Sequence, residues 1–306
     1  MLDVRRLQAL RAVVEEGSIT AAAALLGYSP SAVSQSITVL EREAKTPLFE
    51  KVGRGIRPTQ AALVLAQHAE AVAAQLHDAE QALEALRAGA AGRLRIAAFA
   101  TAGAALVPRA LAAFRDAHPG VELDLSIAET DEALAQLRSG HRDVVVIAEH
   151  SPVTTETTDG LVYSHLLDDR YHLVLQRGHS AARARAVALE DVADEPWIAT
   201  ESARCNTLQT VTTACARAGF TPHFAIEADE FATTLGFVAA GLGVALVPIL
   251  ALSSLPDGVV SRRLQGEGPS RYVYVVTRDA PPSHPMINVL VKALRSSAGL
   301  HRLAAA

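Results

Sequence analysis

Four small polar residues recur at helical spacing near the start of the chain and could hydrogen-bond to base edges or phosphates: Ser31, Ser34, Gln35 and Thr38. Such side chains can enter the major groove of double-stranded DNA without a charge penalty. An ordinary solvated helix face is the alternative for these four residues alone. The context favours DNA, because Lys51, Arg54 and Arg57 surround Gly53 and Gly55, as in a hairpin wing that lies along phosphates.

Two short helices must position these side chains. Ser18 is a suitable N-cap for a helix over 19–26, and Gly27 can take the left-handed conformation that ends it. Ser29 is a second N-cap, and Pro30 stands in the first turn of the next helix, where proline costs no hydrogen bond. Two helices separated by so few residues form a helix-turn-helix.

The apolar residues of the second helix are expected to face a hydrophobic core, because they recur at helical spacing. They are Ala32, Val33, Ile37 and Leu40, with Ala22, Leu25 and an opening helix over 2–14 as their packing partners. The polar residues occupy the opposite face and the wing. The predicted DNA-binding residues are Ser29, Ser31, Ser34, Gln35, Thr38, Lys51, Arg54 and Arg57.

The segment from Thr59 to about Ala88 has neither Gly nor Pro and predicts one long helix. Its apolar residues repeat with a period near 3.5, which is typical of a seam between two helices. Leu63, Leu76 and Leu83 are the predicted dimerisation residues. A spacer helix whose stripe packs on its own body is the alternative. A homodimer would present two recognition helices to a pseudo-palindromic DNA site.

Residues 89–92, Gly-Ala-Ala-Gly, break the long helix and mark a hinge. Strands over 94–99, 122–127 and 143–148 then alternate with helices over 103–118 and 130–139, which favours a parallel sheet. A second lobe is expected from about Leu166, with strands over 171–176 and 223–228 and helices over 206–218 and 230–240. A strand over 271–277 and a helix over 285–297 return to the first lobe, and this double crossing predicts a cleft between two lobes.

The chain resembles the LysR-type transcriptional regulators. The motifs that carry this resemblance are Ser18 with Ala21-Ala22, Ser34, Leu40-Glu41, Leu48-Phe49, Pro58-Thr59, Pro196-Trp197-Ile198, and the stretch 240–248. Three residues depart from the family pattern: Lys45 and Ala62 stand where glycine is usual, and Lys51 stands where arginine is commoner. The resemblance implies a sequence-specific DNA-binding regulator controlled by a small-molecule effector.

The predicted fold is an all-α winged helix-turn-helix domain at 1–58, a dimerisation linker helix at 59–89 and an α/β two-lobed periplasmic-binding-protein-like effector domain at 92–306. Lobe I is expected at about 92–165 and 269–306, and lobe II at about 166–268. The expected partners are double-stranded DNA, a small-molecule effector, a second copy of the chain in a homodimer or dimer of dimers, and the transcription machinery. No cofactor and no membrane partner are expected.

Effector-binding residues are expected beyond the carboxyl ends of the strands, where loops meet helix N-termini. The predicted set is Ala100, Thr101, Ala102, Glu129, Thr130, Glu201, Ser202, Arg204, Phe231, Val247 and Pro248. By resemblance, Thr101, Thr130 and Ser202 bond the effector, although each could instead be a simple helix cap. Arg204 is the only basic residue in these loops, so an anionic effector would depend on it or on backbone N–H groups. The acidic residues Glu129, Glu149 and Glu201 could equally favour a cationic or hydroxyl-rich ligand.

Two cysteines raise a thiol-based alternative. Cys205 lies beside Arg204 at the start of the helix predicted at 206–218, where the helix dipole and the positive charge would favour a thiolate. Cys215 shares a helical face with Val211 and Ala218, so a plain core cysteine is the simpler interpretation. A redox-sensing regulator that uses both cysteines therefore stays an alternative.

Motifs, charge and cysteine content argue against several other classes of protein. No phosphate-binding loop, nucleophile elbow, dinucleotide fingerprint or metal-spaced His/Cys cluster occurs, so an enzyme is not expected, and neither catalytic residues nor metal ligands are assigned. The net charge is −5 over 306 residues, but residues 1–60 hold eight Lys/Arg against six Asp/Glu, and this is the only net positive segment. The two cysteines, the lack of a signal peptide and the lack of a membrane span predict a cytoplasmic protein. A solute-binding module without DNA function would leave residues 18–58 and the seam unexplained.

Overall fold

The computed structural model describes residues 2–52, 55–88, 92–200, 207–279 and 284–305. The chain forms two compact units. The first comprises Met1–Ala90 and Ala135–His141, and the second comprises Ala91–Leu134 and Arg142–Ala306. Among the described residues, no helix combines the length and the apolar character needed to cross a membrane.

The first unit begins with three helices and a hairpin, followed by a long helix. These are α1 (Val4–Glu16), α2 (Ile19–Leu26), α3 (Pro30–Ala44), β1 (Phe49–Val52), β2 (Gly55–Pro58) and α4 (Gln60–Ala88). The predicted caps are confirmed: the Ser18 hydroxyl accepts a hydrogen bond from the Ala21 N–H at 3.1 Å, and Ser29 accepts one from Ala32 at 3.2 Å. Gly27 ends α2 with a left-handed φ of 68°. The helix-turn-helix is therefore built from local signals.

The core of this unit joins α1, α2, α3 and the start of α4. Its members include Leu10, Val13, Ala22, Val33, Ile37, Leu40, Leu48 and Ala62. Two packing predictions were wrong, because Leu25 is 62% exposed and Ala32 is also exposed. On α2 the inward stripe consists of Ile19, Ala22, Ala23 and Leu26, so Leu25 points away from it. On α3 the stripe runs through Val33, and Ala32 lies one position, about 100°, off its centre.

The second unit contains the α/β part of the chain. Its strands are β3 (Arg93–Ala98), β4 (Glu122–Ile127), β5 (Val144–Glu149), β6 (Thr157–Thr158), β7 (Leu161–Gln176), β8 (Ala186–Val187), β9 (Pro196–Thr200), β10 (His223–Ala228), β11 (Ala245–Pro248), β12 (Val259–Leu264) and β13 (Ser270–Arg278). Its helices are α5 (Ala100–Ala105), α6 (Val107–Ala117), α8 (Thr207–Arg217), α9 (Phe231–Ala239) and α10 (Ile287–Ala305), while α7 (Thr130–Arg138) extends into the first unit.

The main sheet has the order β4-β3-β5-β13-β7-β12-β8 and is mixed rather than parallel. Strands β4, β3 and β5 are parallel, as expected, but β13 runs antiparallel to both β5 and β7. The helix expected over 103–118 is divided at Leu106, because Pro108 in the first turn of α6 has no N–H to continue α5. The sheet is therefore mixed because the strand that returns to the first lobe, β13, runs antiparallel to its neighbours.

One strand joins the two lobes. The strand predicted at 171–176 is the second half of β7, which is sixteen residues long. Its first half pairs with β13 in the first lobe, and its second half pairs with β11 and β12 in the second lobe. The first lobe has one core, between the sheet and helices α5, α6 and α10. The second lobe has two cores, one beneath α8 and one beneath α9. The double crossing predicted from the sequence is confirmed.

Candidate functional site

Helix α3 presents a polar face opposite its buried stripe. Ser31, Ser34, Gln35 and Thr38 are all exposed, as predicted. The Thr38 hydroxyl donates to the Ser34 carbonyl at 3.0 Å, and the Ser29 and Ser31 hydroxyls lie 3.0 Å apart at the start of the helix. Ser29 and Thr38 are thus partly engaged with the helix itself. The Ser34 and Gln35 side chains have no hydrogen bond within the part of the chain that the structure describes, so both are available to a partner.

The hairpin β1–β2 forms the predicted wing. Its antiparallel register pairs Glu50 with Arg57 and Lys51 with Ile56. Lys51 and Arg57 are exposed, and the Arg57 guanidinium lies 3.4 Å from a Glu50 carboxylate oxygen. An exposed pair of this kind is weak and can open to a phosphate. Arg54, at the predicted tip, lies outside the described residues.

A carboxylate that was not assigned a role anchors the wing to α3. The Glu41 carboxylate accepts hydrogen bonds from the backbone N–H of Leu48 at 2.8 Å and of Phe49 at 3.3 Å. Thr59 holds the other end of the wing, since its hydroxyl donates to the Pro47 carbonyl at 3.0 Å and accepts from the Ala62 N–H. The Leu40-Glu41 and Pro58-Thr59 motifs therefore fix the wing relative to the recognition helix.

Lys45, a departure from the expected glycine, ends α3 in the left-handed conformation with φ 55°. Its N–H donates to the Glu41 carbonyl, as in an ordinary αL cap. A side chain is disfavoured in this region because Cβ approaches the following carbonyl oxygen. Lys45 therefore carries a conformational cost at the helix end, where it is exposed.

Some apolar residues of the long helix α4 are buried, and others are exposed. Ala66 and Ala69, in the first half of α4, are buried within the first unit. Leu63, Leu76 and Leu83 are 41%, 46% and 54% exposed, as a seam without its partner requires. Leu76 and Leu83 are one heptad apart on one line of the helix, whereas Leu63, thirteen residues before Leu76, lies on another. Of the three predicted dimerisation residues, Leu76 and Leu83 therefore share an exposed face of α4.

Arg271 is the centre of the effector-side geometry, although the sequence analysis did not select it. Its guanidinium is buried and donates to the Asp169 carboxylate through Nε at 2.9 Å and Nη2 at 2.8 Å. Nη2 also donates to the Thr101 hydroxyl at 2.6 Å. The guanidinium carbon lies 4.9 Å from the Phe99 ring centre and 5.9 Å from the Phe231 ring centre. Arg271 thus joins Thr101 of the first lobe to Phe231 of the second.

Strand direction explains why Arg271 was missed. It lies near the start of its own strand, whereas the predicted effector residues follow the ends of strands. Because β13 is antiparallel to β5, with Tyr272 opposite Glu149, the start of β13 meets the carboxyl edge of the parallel strands. Arg271 is thus a basic residue at this edge of the sheet in addition to Arg204 of the predicted loops. The charge of Arg271 is already balanced by Asp169, whose other oxygen accepts from the Leu250 N–H at 3.0 Å.

Neither predicted threonine behaves as a simple helix cap. Thr101 lies inside α5 and its hydroxyl is bound by Arg271. The Thr130 hydroxyl donates to the Ala148 carbonyl at 3.1 Å, at the end of β5. A third threonine contact was not expected: the hydroxyls of Thr200 and Thr234 lie 2.7 Å apart and are buried between β9 and α9. Thr200 ends β9, and Thr101, Thr130 and Thr234 follow the carboxyl ends of β3, β4 and β10, in agreement with the strand-end rule.

The remaining predicted effector residues differ in their burial. Ala102 and Val247 are fully buried in the two lobe cores, so their side chains are unsuited to ligand contact. Pro248 is also buried, Ala100 is exposed, and Glu129 and Phe231 are half-buried. Glu201, Ser202 and Arg204 lie outside the described residues.

An acidic pair borders the end of β5. Burial raises the pKa of Glu149 above its ordinary value, and the neighbouring Asp131 carboxylate raises it further. The charge balance here is therefore acidic, whereas around Thr101 one buried guanidinium is offset by one buried carboxylate. The described residues of this region therefore carry no net positive charge.

Cys215 is a core residue. It lies on α8, and its side chain is fully buried in the core of the second lobe. Burial raises the pKa of its thiol to about 11, with a backbone hydrogen bond acting in the opposite direction. A thiol of this kind is unreactive at neutral pH. Cys205 lies outside the described residues.

The chain matches two family models that together cover nearly all of its length. The model for "Bacterial regulatory helix-turn-helix protein, lysR family" matches residues 4–63, and the model for "LysR substrate binding domain" matches residues 62–299. The transcriptional regulator CbbR of Rhodospirillum rubrum is 29% identical over 297 residues, which cover 96% of each chain. Its name is that of a regulator and not of an enzyme, in agreement with the lack of catalytic motifs.

Solved structures show the same fold. A full-length OxyR variant from Pseudomonas aeruginosa is similar with a TM-score of 0.66 and 21% identity, covering 96% of this chain and 95% of that one. Full-length CbnR in complex with its target DNA is similar with a TM-score of 0.60 and 21% identity, covering 97% of this chain and all (100%) of that one. With its capped helix-turn-helix, its wing and its two-lobed α/β unit, this chain belongs to the LysR family of transcriptional regulators.

Proposed function

We propose that this regulator reads a specific DNA sequence with α3 and responds to a small polar metabolite held between the lobes of its second unit. The observation that carries the DNA part is the exposed Ser34 and Gln35 pair opposite the buried stripe of α3. An amide and a hydroxyl on adjacent residues of a major-groove helix can contact base edges. The similar protein CbnR, solved with its target DNA, supports this proposal.

The wing supplies contacts that do not depend on sequence. Lys51 and Arg57 are exposed on the two strands of the hairpin, which Glu41 and Thr59 hold against α3. Charged side chains at fixed positions beside a recognition helix bind backbone phosphates and set its register. Arg54 at the tip belongs to the same proposal.

Dimerisation through α4 fits this function. Leu76 and Leu83 form an exposed apolar line on a helix of 29 residues. A two-fold pair of such helices would place two recognition helices on one DNA molecule, and two dimers could combine into a tetramer. The proposed division of labour is DNA binding at 1–58, dimerisation at 59–89 and effector binding at 92–306, in the cytoplasm and with the transcription machinery as a further partner.

The effector is proposed to contact Thr101, Thr130 and Phe231, with Ser202 and Arg204 joining from the next loop. Arg271 orients Thr101 and lies against Phe231, so it connects the first lobe with the second at the point where a ligand would be enclosed. A ligand that binds better to one arrangement of the lobes shifts the population toward it. Such a shift is the proposed signal to the DNA-binding unit.

The test of the DNA proposal is fluorescence anisotropy with DNA that flanks the gene of this regulator, against a scrambled duplex. The Gln35→Ala variant should lose about 1–3 kcal/mol of preference for the specific site and keep its affinity for the scrambled one. Arg57→Ala should weaken both and reduce the salt slope by about one. Gln8→Ala, an exposed amide on α1, is the matched control. Equal loss on both duplexes in Gln35→Ala would contradict base reading by α3.

The test of the effector proposal is Thr101→Val, which removes one hydroxyl at nearly constant volume. Effector affinity should fall by about 1 kcal/mol or more, while affinity for DNA without effector stays intact. Because the hydroxyl also accepts from Arg271, unfolding stability must be measured in parallel. A full response of Thr101→Val to a ligand that binds the wild type would refute the assignment. If the effector changes the affinity for DNA by some factor, DNA must change the affinity for the effector by the same factor.

The thiol-based alternative is weakened by the structure. The OxyR variant supports the fold alone, at 21% identity. Of the two cysteines that this alternative needs, Cys215 is enclosed in the core with a pKa raised to about 11. A disulfide that includes Cys215 would require the core beneath α8 to open.

A further inference from the structure

A cavity of about 1200 Å³ lies beside β7 and β13, the two strands that meet at the lobe junction. We call it the hinge pocket. From these strands it is lined by Asp168, Arg170, Tyr171 and His172 of β7 and by Ser270 and Tyr272 of β13. Arg271, which donates to Thr101, and its partner Asp169 do not line it. Alternate strand residues share a face, and Asp168, Arg170 and His172 of β7 alternate with Asp169, while Ser270 and Tyr272 flank Arg271 on β13. The hinge pocket is therefore a different site from the effector site described above.

The hinge pocket is rich in arginine. Arg170, Arg217 and Arg263 line it, together with the carboxylates Asp168 and Glu267. Asp168 lies 2.8 Å from the His165 ring nitrogen, so its charge is partly engaged. All three arginines are solvent-exposed, and they lie on β7, α8 and β12. The balance of fixed charge in the pocket is therefore positive, in contrast to the acidic pair near Thr130.

His172 also lines the pocket, and two of these arginines act on its ring. Its pKa is lowered, first by burial and then by the Arg263 charge, with Arg170 adding to the effect and Asp169 opposing it. Its Nδ1 atom is buried and has no hydrogen-bond partner in the described part of the chain. Buried polar atoms are normally paired, so the His172 ring retains unused hydrogen-bonding capacity.

Both lobes contribute to the hinge pocket. His150 and Ser151 follow β5 in the first lobe, and Thr210 and Arg217 lie on α8 in the second. The Thr210 hydroxyl lies 2.9 Å from the His150 Nδ1 atom and joins the two sides. A ligand that touches both sides binds with an affinity that depends on the arrangement of the lobes.

We propose that the hinge pocket is a second binding site, for a small molecule that carries two or more phosphate groups. Guanidinium groups match phosphate oxygens with paired, charge-assisted hydrogen bonds. The apolar side chains of Leu189, Ile249 and Tyr272 supply a surface for an organic body beside these charges. The hinge pocket is larger than a single carboxylate would fill. A polyanion can contact all three arginines at once.

The test is calorimetric titration of the full-length protein with inorganic pyrophosphate at constant ionic strength. We expect one saturable site per chain. The Arg170→Gln/Arg263→Gln double variant should weaken binding about a hundredfold, since each lost charged hydrogen bond costs about tenfold. The single variant Arg217→Gln, on the exposed face of α8, should weaken it about tenfold and serves if the double variant folds poorly. Parallel titrations with ATP and with fructose 1,6-bisphosphate distinguish a nucleotide from a sugar phosphate.

Arg115→Gln is the matched control, because it removes the same charge from an exposed pair with Asp116 outside the pocket. It should keep the affinity of the wild type. Absence of saturable binding, or an equal loss in Arg115→Gln, overturns the proposal. Loss of pyrophosphate binding in Thr101→Val with unchanged binding in the arginine variants also overturns it, because the anion would then lie in the effector site. Binding of the specific DNA is measured on the same samples, so failure of the DNA proposal is seen separately.

Discussion

The buried pair between Arg271 and Asp169 allows a quantitative prediction for the second unit. Arg271→Met removes a guanidinium that is 3% exposed and leaves the 1% exposed Asp169 carboxylate without its two charged donors. Among the described residues, the Leu250 N–H would then be the one hydrogen-bond donor left to this carboxylate. Removal of one member of a buried ion pair typically costs about 3–5 kcal/mol, and we expect a loss of unfolding free energy in this range.

The double variant Arg271→Met/Asp169→Asn separates charge burial from packing. Asparagine keeps an oxygen for the Leu250 N–H but leaves no charge in the core, so the double variant should regain most of the stability lost by the single one. Arg115→Met, in an exposed pair with Asp116, should change stability by less than about 0.5 kcal/mol.

The assay is urea unfolding followed by tryptophan fluorescence. Trp197 is the only tryptophan of the chain and is fully buried in the second lobe, so its signal reports this unit. Protein concentration must be held constant, because dimerisation shifts apparent stability. The reasoning is refuted if Arg271→Met costs less than about 1 kcal/mol, or if the double variant is no more stable than the single one.

Three further predictions concern other parts of the molecule. Lys45→Gly should raise the free energy of unfolding by about 1 kcal/mol, because glycine has no Cβ to strain the left-handed helix end. Lys45→Ala, the control, should bring no gain in thermal unfolding. Equal gains in both variants would instead point to the lost charge. Glutamates at Leu76 and Leu83 should yield monomers with weak DNA binding, and an unchanged mass by light scattering would contradict the seam. Iodoacetamide at pH 7 should leave Cys215 unmodified in the native protein, because with a pKa of about 11 only about one thiol in ten thousand is ionised; rapid labelling in peptide mass spectra would contradict its burial.

The DNA-binding unit was predictable from the sequence to a large degree. Its caps at Ser18 and Ser29, its turn at Gly27 and the stripe through Val33 are local signals, since they depend on residues within one or two helical turns. The errors at Leu25 and Ala32 arose where two apolar residues competed for one stripe. The choice between them depends on where the neighbouring helices lie, which spacing alone does not determine.

The α/β unit was predictable in its order of elements and not in its sheet. Alternating strands and helices, the double crossing and the family resemblance led to two lobes, and family models matched over nearly the whole chain. The direction of β13 and the length of β7 were not predictable, because they depend on pairing between residues about a hundred positions apart.

The sequence by itself therefore determined the class of this protein, because caps, helical stripes and strand-helix alternation act over short stretches of chain. Only the tertiary structure decided which side chains meet at the lobe junction. The antiparallel direction of β13 brings Arg271 to Thr101 from 170 residues away, and strand alternation turns Tyr272 toward the hinge pocket. Contacts of that kind follow from the packing of the whole sheet, and no local pattern of residue types contains them.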